Sequence, residues 1–281
     1  MARTATMTVW NVNLGLAIHI KTPNYKNIVV DLGSGEFSPI KKLMYSTIHY
    51  LVITHPHYDH ISDILNLPYN QPKVFRRAIG LPKDEIMALA DNYSKPKYEK
   101  YCALDEEYIN PLTPDNENNP NYSDNYGGVE IETFSSSTCS HDNLNNFSVV
   151  TVLKLGNAKV VICGDNEEDS FKRLFWNNDF KAAISNAYVL IAAHHGRESG
   201  YNDEFVKLVN PYVTIVSDGR YVDTSATDRY SKVSKGYDVH LKSGRTEKRY
   251  CLTTRNDGNI RVEFGETNDT NYSGTLNVST F

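Results

Sequence analysis

Three histidines and an aspartate are crowded into THPHYDH, residues 54–60, directly after the apolar run STIHYLVI. His55 and His57 alternate along the chain, so their imidazoles can point to the same side of an extended segment and reach one cation. Asp59 and His60 follow where the next helix should begin, and they can reach a second cation beside the first. Neutral imidazole and carboxylate suit Zn²⁺, and also Mn²⁺ or Fe²⁺. The spacing therefore predicts a metal-binding turn at the end of a buried strand.

Three later stretches carry side chains of the same kinds. VVICGD delivers Asp165 after a glycine that lets the backbone turn sharply. VLIAAHHG delivers His194 and His195, again beside a glycine, and His141 lies in the polar stretch CSHDNLNNFS. Each residue alone is ordinary in a turn or at a surface, and His141 is the weakest of them for that reason. Ligand types at several strand ends nevertheless predict that these residues bind metal jointly.

The segments that position these residues alternate between strand-like and helix-like patterns. Helices are predicted near 38–47, 61–68, 81–110 with a break at Pro96, 167–177 and 203–210, and a long Pro/Asn/Asp-rich loop at 111–128. Short apolar or alternating runs predict strands within 14–20, 28–33, 48–53, 129–134, 147–156, 158–165, 187–196 and 212–219, and a closing hairpin at 249–264 that turns at Asn256–Gly258. This order favours one α/β domain with a sheet core and outer helices.

Composition restricts the class of protein. With 281 residues and 40% hydrophobic residues, the chain can bury a substantial core. No segment approaches the ~20 apolar residues of a membrane span, and MARTATMTVWNV lacks the apolar centre of a signal peptide. The four cysteines include no CxxC pair, which argues against a disulfide framework or a zinc ribbon. We expect a soluble, cytoplasmic protein with no membrane partner; the oligomeric state is open, a homodimer being one option.

Charge is unevenly spread along a chain whose net charge is −5. Residues 102–132 hold eight acidic residues and no Lys or Arg, whereas residues 229–249 hold seven basic residues and two acidic ones. Either run can be a solvated surface. The basic run, with tyrosines between its charges, can also follow a phosphate backbone and stack bases. The acidic stretch can instead be a lid that narrows the site toward a small ligand.

The motifs together resemble the metallo-β-lactamase superfamily. THPHYDH resembles its HxHxDH signature, and the later GD and HHG elements follow in the same order. Within that superfamily the chain is most similar to the hydrolase domain of ComEC-type DNA-uptake proteins, over most of residues 8–265. The resemblance implies a four-layer αββα sandwich over residues 1–265. The stretch 81–130 is then an insertion or lid, and 266–281 is a polar tail or an edge strand.

The resemblance also implies roles for the site residues. One metal would be bound by His55, His57 and His141, the other by Asp59, His60 and His195, with Asp165 bridging them. Either His194 or His195 can be the ligand; we favour His195. Asp59 and His194 are the candidate catalytic residues, with His194 available to contact a phosphate or protonate a leaving group. Asp31 would orient a ligand histidine by hydrogen bonding.

A dinuclear site of this kind predicts hydrolysis. Two divalent ions, zinc first and manganese second, can hold a hydroxide between them at neutral pH and aim it at an electrophile. We predict a phosphodiester as substrate, with a nucleic acid first. Alternatives are a small cyclic nucleotide or phosphorylcholine-type ester, or a non-catalytic metal-binding scaffold. One departure weakens the inference that this chain shares the relatives' substrate. The relatives continue with Gly-His-Pro after the strand at 212–219, whereas this chain has RYVDTSATDRYSKVSKG.

Overall fold

The computed structural model describes residues 2–33, 38–43, 46–69, 71–219, 223–268 and 274–281. Residues 220–222 of the departing segment and 269–273 of the predicted tail lie outside these ranges. The strands are β1 (Thr4–Val9), β2 (Ala17–Lys21), β3 (Asn27–Leu32), β4 (Tyr50–Ile53), β5 (Val74–Arg77), β6 (Glu130–Phe134), β7 (Val150–Leu155), β8 (Ala158–Ile162), β9 (Val189–Ile191), β10 (Val213–Val216), β11 (Tyr237–His240), β12 (Thr246–Arg249), β13 (Cys251–Thr253), β14 (Ile260–Gly265) and β15 (Thr275–Thr280). The α-helices are α1 (Pro39–Lys42), α2 (Tyr58–Ile61), α3 (Lys83–Ala88), α4 (Lys95–Glu107), α5 (Glu168–Leu174), α6 (Asn178–Ile184), α7 (Asp203–Val209), α8 (Thr227–Val233) and α9 (Thr254–Asp257).

The strands form two sheets. The larger has the order β12-β11-β15-β14-β1-β2-β3-β4-β5, and the smaller has the order β13-β10-β9-β8-β7-β6. In the larger sheet β3, β4 and β5 run parallel, and in the smaller sheet β8, β9, β10 and β13 run parallel. Parallel strands bring their carboxyl ends to one edge of a sheet, where loops can assemble a site. The polar motifs of the sequence follow these carboxyl ends.

Four layers result from the way the sheets and helices bury their apolar faces. Met7 and Ile20 of the larger sheet and Leu153 and Val160 of the smaller belong to one buried core between the sheets. Helices α3 and α4 pack on the outer face of β3–β5, and helices α5 to α8 pack on the outer face of the smaller sheet. Burial of this apolar surface is the main favourable contribution to folding. The predicted αββα sandwich is confirmed.

The predicted closing hairpin at 249–264 is wrong. β13 pairs in parallel with β10 in the smaller sheet, whereas β14 pairs with β1 in the larger one. Between them the backbone makes the short helix α9. Thr253 caps its amino end, and the Thr253 hydroxyl accepts a hydrogen bond from the Asn256 amide. Asn-Asp-Gly therefore ends a helical turn and carries the chain from one sheet to the other.

The predicted tail contains a strand within the larger sheet. β15 pairs antiparallel with β14 and parallel with β11, so it is not an edge strand. Its first three side chains are half-buried, and Val278 and Thr280 are buried. Hydrogen bonding on both sides compensates for a composition that is too polar to predict an interior strand from hydrophobicity alone.

The stretch predicted as an insertion or lid has two parts with different positions. Helix α4 buries Tyr98 and Tyr101 against the outer face of the larger sheet, and Pro96 lies in the first turn of α4, where proline is tolerated. The loop 111–128 packs on the turn between β2 and β3, where Asn24 Nδ2 donates to the Asn125 carbonyl at 3.0 Å. That turn lies at the amino end of β3, away from the carboxyl ends, so this acidic loop is not a lid over the predicted site.

The cysteines agree with the sequence prediction. All four are buried free thiols, and burial raises the pKa of Cys163 and Cys251 far above the ordinary thiol value. They are therefore poor nucleophiles and pack as small apolar side chains. Among the helices in the described ranges, none combines the length and apolarity that crossing a bilayer demands.

Candidate metal centre

The loop after β4 is held in place by a buried aspartate on the neighbouring strand. Asp31, on β3, accepts hydrogen bonds from the Thr54 amide and the Thr54 hydroxyl, each at 2.7 Å. Its Oδ2 also lies 2.7 Å from His60 Nδ1. Because Nδ1 of His60 is occupied by this contact, Nε2 is the nitrogen that faces the interior of the site. The structure thus places Asp31 where it orients a histidine.

The second histidine-bearing turn follows β9 and has an unusual backbone. His194 and His195 have φ values of 47° and 54°, and Gly196 continues in the same left-handed region at 75°. Left-handed geometry is unfavourable for residues with a Cβ and costs on the order of 1–3 kcal/mol each when the fold imposes it. The His195 Nδ1 atom donates to the Ser217 carbonyl at 2.9 Å, which secures the turn to the loop after β10. This strained turn directs both imidazoles toward the carboxyl ends of the strands.

Four side chains from three strand ends converge on one small volume. The ligand atoms of Asp59, His60, Asp165 and His195 all lie within 4.8 Å of one another. Asp165 Oδ2 is 3.3 Å from His60 Nε2 and 3.4 Å from His195 Nε2, and Asp59 Oδ2 is 3.3 Å from His195 Nε2. Among the described residues, neither of these buried Nε2 atoms has a hydrogen-bond partner. Buried polar atoms are seldom left unpaired, so their lone pairs fit a divalent cation held at this point.

A second group of imidazoles also lies close to Asp165. His55 Nε2 and His57 Nδ1 approach within 2.9 Å, as expected of two atoms aimed at one point. Asp165 Oδ2 lies 3.8 Å from His55 Nε2 and also 3.8 Å from His194 Nε2. Burial together with the charge of His60 lowers the pKa of His55 well below the ordinary imidazole value, which keeps its lone pair available. His55 and His194 therefore approach the same Asp165 oxygen as the imidazoles of the first four-residue cluster, and His57 adjoins His55.

His194 is held in the orientation that a metal ligand needs. Its Nδ1 lies 2.7 Å from Glu167 Oε1 and 2.9 Å from Ser199 Oγ. The hydrogen bond with His194 is the main reason that the pKa of Glu167 is lowered to about 2. A carboxylate on Nδ1 fixes the tautomer with the lone pair on Nε2, and that lone pair accepts from Arg197 Nη1 at 2.9 Å. Of the two alternatives, His194 and His195, the structure places both imidazoles at the centre, each with its Nε2 atom within 3.8 Å of Asp165 Oδ2.

His141 is placed elsewhere. Its side chain is 43% exposed, and its Nδ1 lies 2.6 Å from Glu85 Oε2 on α3. The ring stacks edge-on against Phe147, with centroids 4.9 Å apart. In the described part of the chain, no hydrogen bond or ion pair joins His141 to the other predicted ligands. The resemblance-based assignment of His141 to the first metal therefore has no support in the geometry, because Glu85 occupies its ring nitrogen at the surface.

Two glycines that the sequence analysis did not single out set the position of Asp59. A Cβ at residue 15 would lie 1.7 Å from the Asp59 carbonyl oxygen, and one at Gly33 would lie 2.9 Å from it. Gly15 also has a φ of 84°, which side-chain-bearing residues rarely adopt. The backbone of the β4 loop therefore rests directly on these two residues. In the sequence they are seen only as a glycine shortly before β2 and a glycine directly after β3.

The basic run at 229–249 is divided between the two ends of the sandwich. The Lys235 amide donates to the Pro211 carbonyl at the amino end of β10, and the Lys235 ammonium lies over the Tyr212 ring. Lys248 lies over Tyr250, which precedes β13. These lysines are at the end opposite the centre. The arginines of the run are ion-paired, as Arg229–Glu198, Arg245–Glu247 and Arg249–Asp257. The run does not form one continuous track beside the metal-binding residues.

Charges inside the centre are strongly coupled. Burial opposes protonation of His60 and His195, but the facing carboxylates outweigh it and raise the pKa of His60 well above its ordinary value and that of His195 to about 10. Burial likewise opposes ionisation of Asp59 and Asp165, yet the same histidines hold both carboxyl pKa values below the ordinary range. Protons on two imidazoles thus supply positive charge that the carboxylates require, and a cation can replace them.

The raised pKa of His195 predicts an alkaline weakness of the metal-free protein. The imidazole has a pKa near 6.5 when unfolded and about 10 when folded. Its proton therefore stabilises the fold fully below about pH 6.5, and this stabilisation is lost as the pH rises toward 10. We expect the melting temperature of the EDTA-treated protein to fall between about pH 7 and pH 10, and that of the zinc-loaded protein to change much less. Scanning fluorimetry of both forms measures this; equal alkaline losses would contradict it.

The residues of this centre lie within a known family pattern. The family model described as the metallo-beta-lactamase superfamily matches residues 15–217, a range that contains the β4 loop, Asp165 and the His194–His195 turn. The chain belongs to the metallo-beta-lactamase superfamily. Membership in this superfamily confirms the coarser prediction, a metal-dependent hydrolase with a divalent-cation site. The closeness to ComEC-type domains stays a prediction.

Several solved structures resemble the chain at low sequence identity. The metallo-beta-lactamase fold protein YhfI from Bacillus subtilis is 14% identical over 82% of this chain and 93% of that one, with a TM-score of 0.45. A metal-dependent hydrolase of the beta-lactamase superfamily is 10% identical over 91% and 98%, with a TM-score of 0.47. A diphosphatase from the PhnP family is 11% identical over 94% and 99%, with a TM-score of 0.44. No curated protein matches the sequence.

Proposed function

We propose that this metallo-beta-lactamase superfamily member is a dinuclear metal-dependent phosphodiesterase. The observation that carries the proposal is the position of Asp165 Oδ2, which is within 3.8 Å of the Nε2 atoms of four histidines: His55, His60, His194 and His195. His55, His57 and His194 would hold one cation, and Asp59, His60 and His195 the other, with Asp165 between them. His194 replaces His141 in the first set. The donor set of imidazoles and carboxylates suits zinc, with manganese as second choice.

The protein's own groups prepare the site in three ways. Asp31, the Ser217 carbonyl and Glu167 each engage an Nδ1 atom and so present an Nε2 lone pair to the interior. Burial of Asp165 excludes competing water. The Asp59 side chain is 25% exposed, so it borders solvent and is our candidate acceptor for the proton released in hydrolysis. Divalent cations bound here would supply a water of pKa about 7 and neutralise charge on phosphoryl oxygens.

A nucleic acid is the first candidate substrate. The support is the resemblance of NIVVDLGSG, LVITHPHYDHISDI and VLIAAHHGRES to the hydrolase domain of ComEC-type DNA-uptake proteins. The basic run adds less support than its sequence indicated, because its lysines Lys235 and Lys248 lie at the far end of the sandwich. A polymer would have to be held by the rim of the centre itself.

A small diester is the second candidate, and the rim favours it. Lys97 donates to the Tyr58 hydroxyl at 2.9 Å beside the β4 loop, and Arg197 lies beside His194. Within the described ranges neither cation has a carboxylate within ion-pairing distance, whereas Arg229 nearby is paired with Glu198. Two cations beside the centre are enough for a single phosphate group. Their number is small for a long backbone, which typically engages several cations.

One assay panel tests the reaction class and the substrate. Zinc-loaded protein is incubated with single-stranded and duplex DNA, RNA, cyclic AMP, bis(p-nitrophenyl) phosphate and the neutral ester p-nitrophenyl acetate. We expect cleavage of diesters that stops on chelation and returns with zinc or manganese. Cleavage of nucleic acid in gels identifies the first candidate, and cleavage confined to cyclic AMP and the aryl diester identifies the second.

Two results would contradict the proposal. Turnover of p-nitrophenyl acetate without any diester cleavage would indicate a carboxylic ester hydrolase. Stoichiometric metal without turnover on any substrate of the panel would indicate the scaffold alternative. Metal content measured on the same samples separates both results from a failure to load the ions.

A further inference from the structure

We propose that Arg197 is the residue that recognises the anionic group of the substrate, and so makes this centre selective for phosphate esters over neutral esters. The inference rests on the proposed phosphodiesterase function and adds the group that would bind the phosphoryl oxygens. It starts from a cation beside the centre whose charge is not balanced by a carboxylate among the described residues.

Arg197 is fixed at the rim by its backbone. Its amide donates to the His194 carbonyl, and its own carbonyl accepts from the Gly200 amide. The 3-10 turn Glu198–Gly200 that follows begins at this residue. The root of the side chain therefore has little freedom, and the guanidinium reaches back over the strained His194–His195 turn. It ends one imidazole away from Asp165.

The nearby carboxylates are engaged by other groups. Glu198, the next residue, pairs with Arg229 at 2.6 Å. The Glu167 carboxylate accepts hydrogen bonds from the His194 ring and from the side-chain amides of Asn143 and Asn145. In the described residues the guanidinium has no carboxylate within 4 Å, and its Nε atom is buried without a hydrogen-bond partner. A half-buried cation with an unsatisfied donor is a site prepared for an anion.

The contact between Arg197 and His194 is conditional. Arg197 Nη1 donates to His194 Nε2 at 2.9 Å, which uses the lone pair that the proposed ligand role requires. Once that lone pair is given to a cation, the guanidinium loses its acceptor and must seek another. A planar guanidinium matches two oxygens of a phosphate group through parallel hydrogen bonds. The geometry thus couples a loaded centre to a guanidinium free to bind substrate.

The test compares anionic and neutral ligands in zinc-loaded variants. The variants are Arg197→Gln, Arg197→Lys and, as a matched control, Arg173→Gln, which removes an arginine already paired with Asp169 on α5. For Arg197→Gln we expect KM for bis(p-nitrophenyl) phosphate to rise about 10- to 100-fold, in keeping with the loss of a charge-assisted hydrogen bond. The dissociation constant for inorganic phosphate, measured by calorimetry, should rise by a similar factor. Arg197→Lys should lie between, and Arg173→Gln should resemble the parent protein.

Two further readouts separate recognition from a structural role. Zinc content of Arg197→Gln should stay at the parent value, and its rate on p-nitrophenyl acetate should change less than about threefold. An unchanged phosphate dissociation constant, or a loss of zinc in both Arg197 variants, would overturn the proposal. If the parent protein cleaves no diester, the proposed function fails, yet phosphate calorimetry still decides whether Arg197 binds the anion.

Discussion

Asp165→Asn should abolish hydrolysis, with kcat/KM reduced by at least about 1000-fold, or about 4 kcal/mol of transition-state stabilisation. The reason is that one oxygen of this buried carboxylate lies within 3.8 Å of imidazole nitrogens from both proposed ligand sets, those of His55, His194, His60 and His195. Asparagine keeps the size of the side chain but removes the charge that the two proposed cations would share. Zinc content should fall together with activity, as measured by mass spectrometry after gel filtration.

The control for Asp165→Asn is Asp238→Asn, which changes an exposed aspartate on β11 in the same way. It should retain full zinc content and a rate within about twofold of the parent protein. Circular dichroism of both variants checks that they are folded. An Asp165→Asn protein that is folded, binds two zinc ions and turns over at more than one-tenth of the parent rate would refute the bridging role.

His194→Ala should remove one of the two proposed metal ions and lower kcat/KM by about 100- to 1000-fold, whereas His141→Ala should change neither the metal content nor kcat/KM by more than about twofold. His194 is only 8% exposed, and its Nδ1 is held by Glu167, so deleting it leaves His55 and His57 as an incomplete pair. His141 is held at the surface by Glu85. Zinc titration followed by calorimetry counts the sites in both variants.

The paired histidine variants distinguish the two ligand assignments directly. Metal loss in His141→Ala with normal loading in His194→Ala would restore the assignment taken from the family resemblance. Replacement of Glu167 by Gln offers an independent check, because it should weaken the first site without deleting a ligand. An intermediate loss of zinc affinity, about 10- to 100-fold, is expected for such an outer partner.

The motifs that could be predicted from sequence are those with dense local signals. THPHYDH, Asp165 and the HHG turn follow apolar runs at the carboxyl ends of β4, β8 and β9, and parallel strands bring such ends together. The sequence predicts the helical character of 81–110, but Pro96 lies in the first turn of α4 and does not interrupt that helix. No strand is predicted from sequence at the positions of β1, β5, β11 or β12, and each of them is stabilised by pairing with its neighbours in the larger sheet.

The remaining features depend on contacts distant in sequence. Nothing local indicates that Glu167 would reach His194 or that Gly15 would support the Asp59 carbonyl. The separation of β13 from β14 into different sheets is likewise decided by which strand edge is available, not by the Asn-Asp-Gly sequence. His141 shows the converse case, in which a residue of a suitable type, in a suitable order along the chain, lies at the surface in an ion pair with Glu85 of α3.

Because the proposed ligands come from loops of both sheets, bound ions would also cross-link the two sheets of the sandwich. Asp31, His55 and His60 belong to the larger sheet and its loops, while Asp165 and His195 follow strands of the smaller one. Removal of the metal would then lower the stability of the fold as well as the activity. The two sheets would separate transiently more often, and the apolar core between them would become accessible to proteases. The abundance of the protein in the cell would therefore follow the metal supply.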